Sequence, residues 1–301
     1  MPGLPEADDR LPPLRSLGEW RRGARRFLAA AGIESPVAEA DLIARHVLGL
    51  TRVELTLAAD RVLSRAEKRR LSRILHRRRR RVPLQYLLGE VDFWGLSLRV
   101  TPRVLIPRPE TEGLVERVLS FLGPDPEATV VDVGTGSGAI ALALAAARPR
   151  LTLWASDSSA AAVRVARENA RRLGLSGRIR FAVGDLAAPF EGEEPERPLR
   201  VLVSNPPYVS TRNRRRLEPE VAEHEPALAL FGGEGGLDVI RRLVPAAARR
   251  LPAGALLALE IGDDQGERVR RIIQATRGWR SIRIEKDLAG RDRYALAVRT
   301  G

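Results

Sequence analysis

Val130-Val-Asp-Val-Gly-Thr-Gly-Ser-Gly138 is the stretch on which the fold turns. It opens as a buried strand, and the alternating glycines that follow let the backbone approach a ligand closely at the start of a helix. Outward from it, strands and helices alternate. Thr129 to Val133, Leu151 to Ala155 and Ile179 to Val183 read as strands, separated by helices over Gly138 to Ala147 and Ser158 to Leu173. Val201 to Ser204 is a further strand, followed by a polar excursion from Val209 to Gly236. Leu237 to Arg250 and Gly266 to Ala275 read as helices on either side of the strand Ala255 to Ile261. Ser281 to Glu285 and Tyr294 to Arg299 close the chain as two strands joined without a helix. The pattern predicts an α/β fold: a doubly wound, Rossmann-like sheet with an antiparallel edge.

Upstream the period changes. Residues 14–82 read as a helical bundle: Trp20, Phe27, Leu28 and Ala31 fall at helical spacing, Ser35-Pro36 opens a second helix, and Ser64 with Glu67 forms a capping-box pattern. Pro83 ends that run. Residues 83–100 then read as a β-hairpin connector, with Val91, Phe93, Leu96 and Leu98 placed about Gly95. The Pro-studded segment Thr101 to Glu112 leads into a helix over 112–122, so 101–301 is the domain expected to carry the chemistry. Residues 1–13 are expected to be disordered.

The 301 residues carry 51 Lys and Arg against 38 Asp and Glu, a net charge of +13. Only Lys68 and Lys286 are lysines, so the charge is almost all arginine. Between Arg61 and Arg81 eleven Lys and Arg face one acidic residue, Glu67, which is +10 and leaves +3 for the other 280 residues. The excess therefore sits on one helix, which reads either as a solvated face or as a docking surface for an acidic protein or for nucleic acid. There is no Cys, which excludes disulfides and thiolate chemistry, and the three His stand in no metal-ligand spacing, so no metal is expected. No run of 18 apolar residues spans a membrane and the N-terminus lacks an apolar signal region, so the expected location is the cytoplasm.

Gly134, Gly136 and Ala139 also fit a dinucleotide-binding turn. Two details favour S-adenosylmethionine (SAM). Asp132, inside the strand end, would repel a pyrophosphate but welcome a sulfonium and an ammonium. Asp157, ending the second strand, suits ribose hydroxyls, and the third strand ends Val183-Gly-Asp185 where an adenine edge would lie. The fourth strand ends Ser204-Asn-Pro-Pro-Tyr208. Two prolines cannot continue a ladder, so the Pro206 carbonyl has no ladder partner on its own segment. The Asn205 side-chain carbonyl and the Pro206 carbonyl can then accept both hydrogens of a planar NH2 group, with Tyr208 covering its face. An amide or aryl amine nitrogen is a poor nucleophile because its lone pair is delocalised, and such a clamp supplies orientation. Glu260, ending a strand near the cleft, reads as structural, and Arg291 and Arg293 as surface charges.

Six segments in order resemble the HemK-type release-factor glutamine methyltransferases: Pro83 to Gly89, Ile106-Pro-Arg-Pro-Glu-Thr-Glu112, Asp132 to Gly138, Asn205-Pro-Pro-Tyr208, Glu225 to Leu230 and Asp287 to Asp292. The resemblance covers residues 14–299. It implies an N-terminal helical bundle that docks the substrate, a β-hairpin connector and a seven-stranded SAM-dependent methyltransferase domain. It implies methylation of the side-chain amide nitrogen of the glutamine in the Gly-Gly-Gln loop of bacterial class 1 peptide release factors. The chain is expected to act as a monomer. Carried over residue by residue, Gly134, Thr135, Gly136, Ser137 and Gly138 would line the methionine part of SAM, beside the Asp132 charge, Asp157 would hold the ribose, and Asp185 with Leu186 would flank the adenine. Asn205 would touch cofactor and substrate, and Pro206, Pro207 and Tyr208 would complete the clamp. Two alternatives share the chemistry: a glutamine methyltransferase acting on a large-subunit ribosomal protein, and an adenine-amino methyltransferase of DNA or RNA. Pro107-Arg-Pro-Glu-Thr111 favours release factors over the first, and the absence of an identifiable target-recognition domain disfavours the second.

Overall fold

The computed structural model describes residues 16–124 and 126–301; the residues expected to be disordered, 1–13, lie outside them. The chain divides into two compact units, the first ending at Gly89 and the second running from Glu90 to Gly301.

The first unit is helical: α1 (Leu17–Ala30), α2 (Pro36–Leu48), α3 (Arg52–Leu57), α4 (Arg65–Arg79) and α5 (Leu84–Leu88). Ser64 caps α4 through a complete capping box with Glu67, as its sequence spacing predicts. Leu71 and Leu75 of α4 pack with Trp20, Leu28, Ile43 and Ala44 in one apolar cluster. Arg78 is buried within this unit and clasps Glu39 of α2 through two bonds, 2.6 and 3.1 Å. Of the arginines expected to form a charged face, this one is therefore part of the interior. Arg65, Arg69, Arg73 and Arg77, four residues apart, remain exposed and lie along one side of the helix. Residues 84–88, expected as hairpin, form a short helix that starts after Pro83 and ends at Gly89 with φ 84°. Five residues are too few for a helical period to show in sequence.

The second unit opens with a hairpin, β1 (Glu90–Phe93) and β2 (Leu96–Arg99), turned by Trp94 and Gly95, both at positive φ. Next come α6 (Pro109–Leu122), β3 (Thr129–Val133), α7 (Ala139–Ala147), β4 (Thr152–Asp157), α8 (Ala160–Arg172), β5 (Ile179–Val183) and β6 (Leu199–Ser204). The polar excursion holds α9 (Pro219–His224) and α10 (Ala227–Leu230). After it follow α11 (Asp238–Arg250), β7 (Leu256–Glu260), α12 (Gly266–Ala275), β8 (Trp279–Lys286) and β9 (Asp292–Arg299). Pro109 and Pro219 stand in the first turns of α6 and α9, where a missing N–H costs nothing.

The sheet has seven strands in the order β5-β4-β3-β6-β7-β9-β8, with β9 antiparallel to both neighbours. Alternate residues face opposite layers. Val130, Val201, Val203 and Leu256 pack with α6, α7 and the hairpin residues Phe93 and Leu98. Val131, Val133, Leu202 and Leu257 pack with Ile240, Leu243, Val269 and Ile273 of α11 and α12. The chain leaves β3 toward β4 on one side and returns to β6 on the other. That reversal opens a crevice at the carboxyl ends of β3 and β6.

Candidate active site

The glycine-rich turn crosses from β3 to α7. Gly134, Gly136 and Gly138 have φ of 73°, 59° and 86°, a region that side chains rarely adopt. Gly134 and Thr135 donate their N–H groups to the Ser156 carbonyl, at 2.8 and 2.9 Å, which ties the turn to β4. A Cβ on Gly138 would lie 2.9 Å from Leu142 and 3.2 Å from Ala166, so glycine there also lets α8 approach α7. Asn169 of α8 donates to the Ser137 carbonyl at 2.9 Å and to the Arg99 carbonyl at 3.0 Å, fixing the turn against the end of β2. Sequence reading did not single out Asn169.

Asp132 is fully buried. Its Oδ2 accepts from the Thr135 hydroxyl at 2.7 Å and from Ala141 N–H at 3.3 Å. Its Oδ1 has no partner among the described residues. Burial pushes this carboxyl up to about 7, against the pull of its two hydrogen bonds. Asp157, at the end of β4, accepts from Gly136 N–H at 2.9 Å and from Ser159 N–H at 2.8 Å. Burial raises it too, with the two backbone donors acting against that rise. A buried carboxylate with an unpartnered oxygen is costly unless a donor or cation meets it. A Cβ at Gly134 would meet nothing within 4 Å, so the backbone beside it is open to close approach. Both observations fit a small cationic ligand such as SAM. Asp185 lies past β5, more than half exposed, and pairs with Arg242 of α11 rather than with Asp132 or Asp157. Leu186, at φ 50°, accepts on its carbonyl from the Ser156 hydroxyl at 2.6 Å, and its side chain packs half-buried against the layer that holds α11 and α12.

At the end of β6, Asn205, Pro206 and Tyr208 line a cavity of about 180 Å³ with Leu105, Arg108 and Leu230. Arg108 Nη2 lies 2.5 Å from Oε1 of the buried Glu225, which joins two of the quoted segments, Ile106 to Glu112 and Glu225 to Leu230. Burial raises the Glu225 carboxyl, and the Arg108 charge opposes that rise. The main chain of the clamp is held from outside. Gln265 Nε2 donates to the Tyr208 carbonyl at 2.8 Å. A Cβ on Gly232 would stand 2.2 Å from the Pro207 carbonyl, and one on Gly236 2.2 Å from the Tyr208 carbonyl, so both positions need glycine.

Behind the clamp stands a polar chain. Asn205 Nδ2 donates to the Thr111 hydroxyl at 3.1 Å, the Thr111 hydroxyl to Glu260 Oε2 at 2.7 Å, and the Tyr208 hydroxyl to Glu260 Oε1 at 3.1 Å. Glu260 is 1% exposed and Thr111 3%. Burial raises the Glu260 carboxyl, while its two hydroxyl donors and the Arg293 charge pull it back. Burial and the neighbouring Glu260 charge raise the Tyr208 phenol. Glu260, read from sequence as structural, is thus in bonded contact with the site. Arg293, read as a surface charge, is mostly covered: it pairs with Asp287 at 3.3 Å and donates to the Ile261 carbonyl at 3.2 Å. Among the described residues no group of His, Cys, Asp and Glu could hold a metal, and no helix is long and apolar enough to cross a membrane.

The doubly wound sheet, the glycine-rich turn with its buried Asp132, and the Asn-Pro-Pro-Tyr loop at the switch point together define a methyltransferase of the Rossmann-like class. Residues 19–89 match the PrmC N-terminal domain and residues 115–224 the methyltransferase small domain. The chain is 46% identical to the release factor glutamine methyltransferase of Moorella thermoacetica, over 95% of this chain and 98% of that one. It is 41% identical to that of Deinococcus radiodurans, over 91% and 95%. The chain belongs to the release factor glutamine methyltransferase family. Among solved structures, the catalytic domain of hMettl16 in complex with an RNA hairpin has a TM-score of 0.54 at 17% identity, over 77% of this chain and 81% of that one. A 16S rRNA methyltransferase of T. thermophilus in complex with AdoMet and guanosine gives 0.51 at 18%, over 70% and 49%. At those identities the likeness speaks to the fold alone.

Proposed function

We propose that this enzyme methylates the side-chain amide nitrogen of the glutamine in the Gly-Gly-Gln loop of class 1 peptide release factors, acting as a cytoplasmic monomer with SAM as donor. The observation that carries the reading is the clamp: neither Asn205 Oδ1 nor the Pro206 carbonyl accepts a hydrogen bond from a described residue. Asn205 Nδ2 is occupied by Thr111, so the oxygen is the end left for a substrate. Bound SAM supplies a methyl group activated by the adjacent sulfonium charge. Asp132, with its unpartnered oxygen, meets the cationic end of SAM; Gly134 to Gly138 line the methionine part, Asp157 holds the ribose, and Asp185 and Leu186 flank the adenine.

Asn205 Oδ1 and the Pro206 carbonyl each accept one hydrogen of the substrate amide and fix its plane, and Pro207 and Tyr208 close over it. Holding a poor nucleophile in one geometry lowers the barrier without a strong base. Transfer would exchange the methyl group's bond to sulfur for one to nitrogen, and the amide hydrogen would then leave as a proton to water. The helical unit, with hairpin and catalytic domain after it, is the docking part. The exposed row Arg65, Arg69, Arg73 and Arg77 meets a negatively charged surface, an acidic stretch of the release factor or neighbouring ribosomal RNA.

Asn205→Ala tests the clamp. Transfer falls on the order of 10²–10³-fold, the scale for loss of one preorganised polar contact in a transition state, while calorimetry shows SAM still bound and melting shows the fold intact. Near-normal turnover by this variant contradicts the clamp.

A further inference from the structure

We propose that Thr111 and Glu260 are positioning residues that set which end of the Asn205 amide faces the substrate, with Glu260 also holding the Tyr208 ring. The inference rests on the clamp reading of Asn205 and extends it to two residues that would act through it and through Tyr208.

An ionised carboxylate only accepts hydrogen bonds, a hydroxyl has one proton to donate, and a primary amide has a donor end and an acceptor end of nearly equal shape. Glu260 Oε2 faces the Thr111 hydroxyl at 2.7 Å and Oε1 faces the Tyr208 hydroxyl at 3.1 Å. With Glu260 ionised, the form its two hydroxyl donors and the Arg293 charge favour against burial, both hydroxyls spend their proton on it. With its proton spent, Thr111 Oγ1 can only accept. Asn205, 3.1 Å away, must turn its NH2 toward Thr111, and its carbonyl oxygen is thereby turned to the other side. The clamp requires that orientation, because the substrate NH2 brings hydrogens and needs acceptors. A reversed Asn205 would present hydrogens to hydrogens.

The three contacts join distant parts of the second unit: Thr111 lies in the first turn of α6, Asn205 follows β6, and Glu260 ends β7. As a device for stability alone, a carboxylate 1% exposed is a poor choice, since apolar groups of similar volume often do as well. As a device that fixes hydrogen-bond direction it has no apolar substitute.

Thr111→Val keeps the shape of the side chain and removes only the hydroxyl; Thr111→Ser keeps the hydroxyl and removes only a methyl. Thr111→Val is expected to lower kcat by about tenfold or more, within the range for loss of orientation, with the KM for the protein substrate and the SAM affinity close to those of the parent and the melting temperature lowered by the loss of a donor to the buried Glu260 carboxylate. Thr111→Ser is expected to retain kcat. Glu260→Gln, which replaces one acceptor by a donor, is expected to lower kcat as well, and its combination with Thr111→Val to fall short of the product of the two losses, as for groups acting as one unit. Thr111→Val turning over within about twofold of the parent, or Thr111→Ser losing as much as Thr111→Val, overturns the proposal. Asn205→Ala run alongside separates the two failures. If it is inactive while Thr111→Val is fully active, only the positioning role falls; if it is itself active, the clamp falls and the positioning role with it.

Discussion

Asp132 and Glu260 are two buried carboxylates at the carboxyl ends of strands in one sheet, β3 and β7, with β6 between them. Burial raises both. They differ in what meets their oxygens. Glu260 has a hydroxyl donor on each oxygen, from Thr111 and Tyr208. Asp132 has two donors on Oδ2 and none on Oδ1 among the described residues. A carboxylate satisfied from within organises the protein; one left half-satisfied is arranged for something from outside. On the proposed reading, the same chemical group serves the substrate side of the site in one case and the cofactor side in the other.

The contrast can be broken at Asp132. Asp132→Asn removes the charge and keeps the size. If Oδ1 serves a cationic ligand, SAM affinity falls by about ten- to a hundredfold, the scale of a charge-assisted hydrogen bond of about 1.5–3 kcal/mol. The binding of SAM by the parent protein strengthens as pH rises from about 6 to 8, because the carboxyl is held at about 7 and the cation favours its ionised form. In the Asn variant that slope disappears. Calorimetric titration across this range checks both statements. The sign is opposite for stability without SAM. A carboxyl raised from 3.8 to about 7 in the fold contributes most below 3.8, and that contribution is lost as pH rises through about 7. Asp132→Asn should flatten this fall in thermal melts.

A smaller effect sharpens the proposal that recognition of the protein partner depends on neither carboxylate. Arg65→Glu with Arg69→Glu is expected to raise the KM for the protein substrate by about three- to tenfold and to make it less salt-sensitive, with SAM affinity unchanged. These two are the appropriate targets, because reversing Arg78 would strand Glu39 inside the helical unit. Steady-state kinetics at two ionic strengths provides the check.

The parts of this molecule readable in sequence are those whose meaning is local. The glycine-rich turn, the Asn-Pro-Pro-Tyr loop and the alternation of strands and helices each announce themselves within a few residues, because the backbone need and the residue that meets it are neighbours in the chain. Glu260 and Thr111 do not, since they are partners across 149 positions and either alone is an ordinary strand-end or helix-start residue. Arg78 and Arg293 looked like surface charge for the same reason: their acids, Glu39 and Asp287, are supplied by packing and by a hairpin turn. The helix over Leu84–Leu88 was hidden by its brevity, and the start of α6 by a proline that begins a helix rather than breaking one.

The most direct test of the whole account is to incubate the enzyme with a class 1 release factor and SAM labelled in its methyl group, then map the product by mass spectrometry. The account predicts one added methyl on the side-chain amide of the glutamine in the Gly-Gly-Gln peptide, and none when Asn205→Ala is used. Label absent from that peptide, and found instead on a ribosomal protein or on nucleic acid offered in the same reaction, would contradict it.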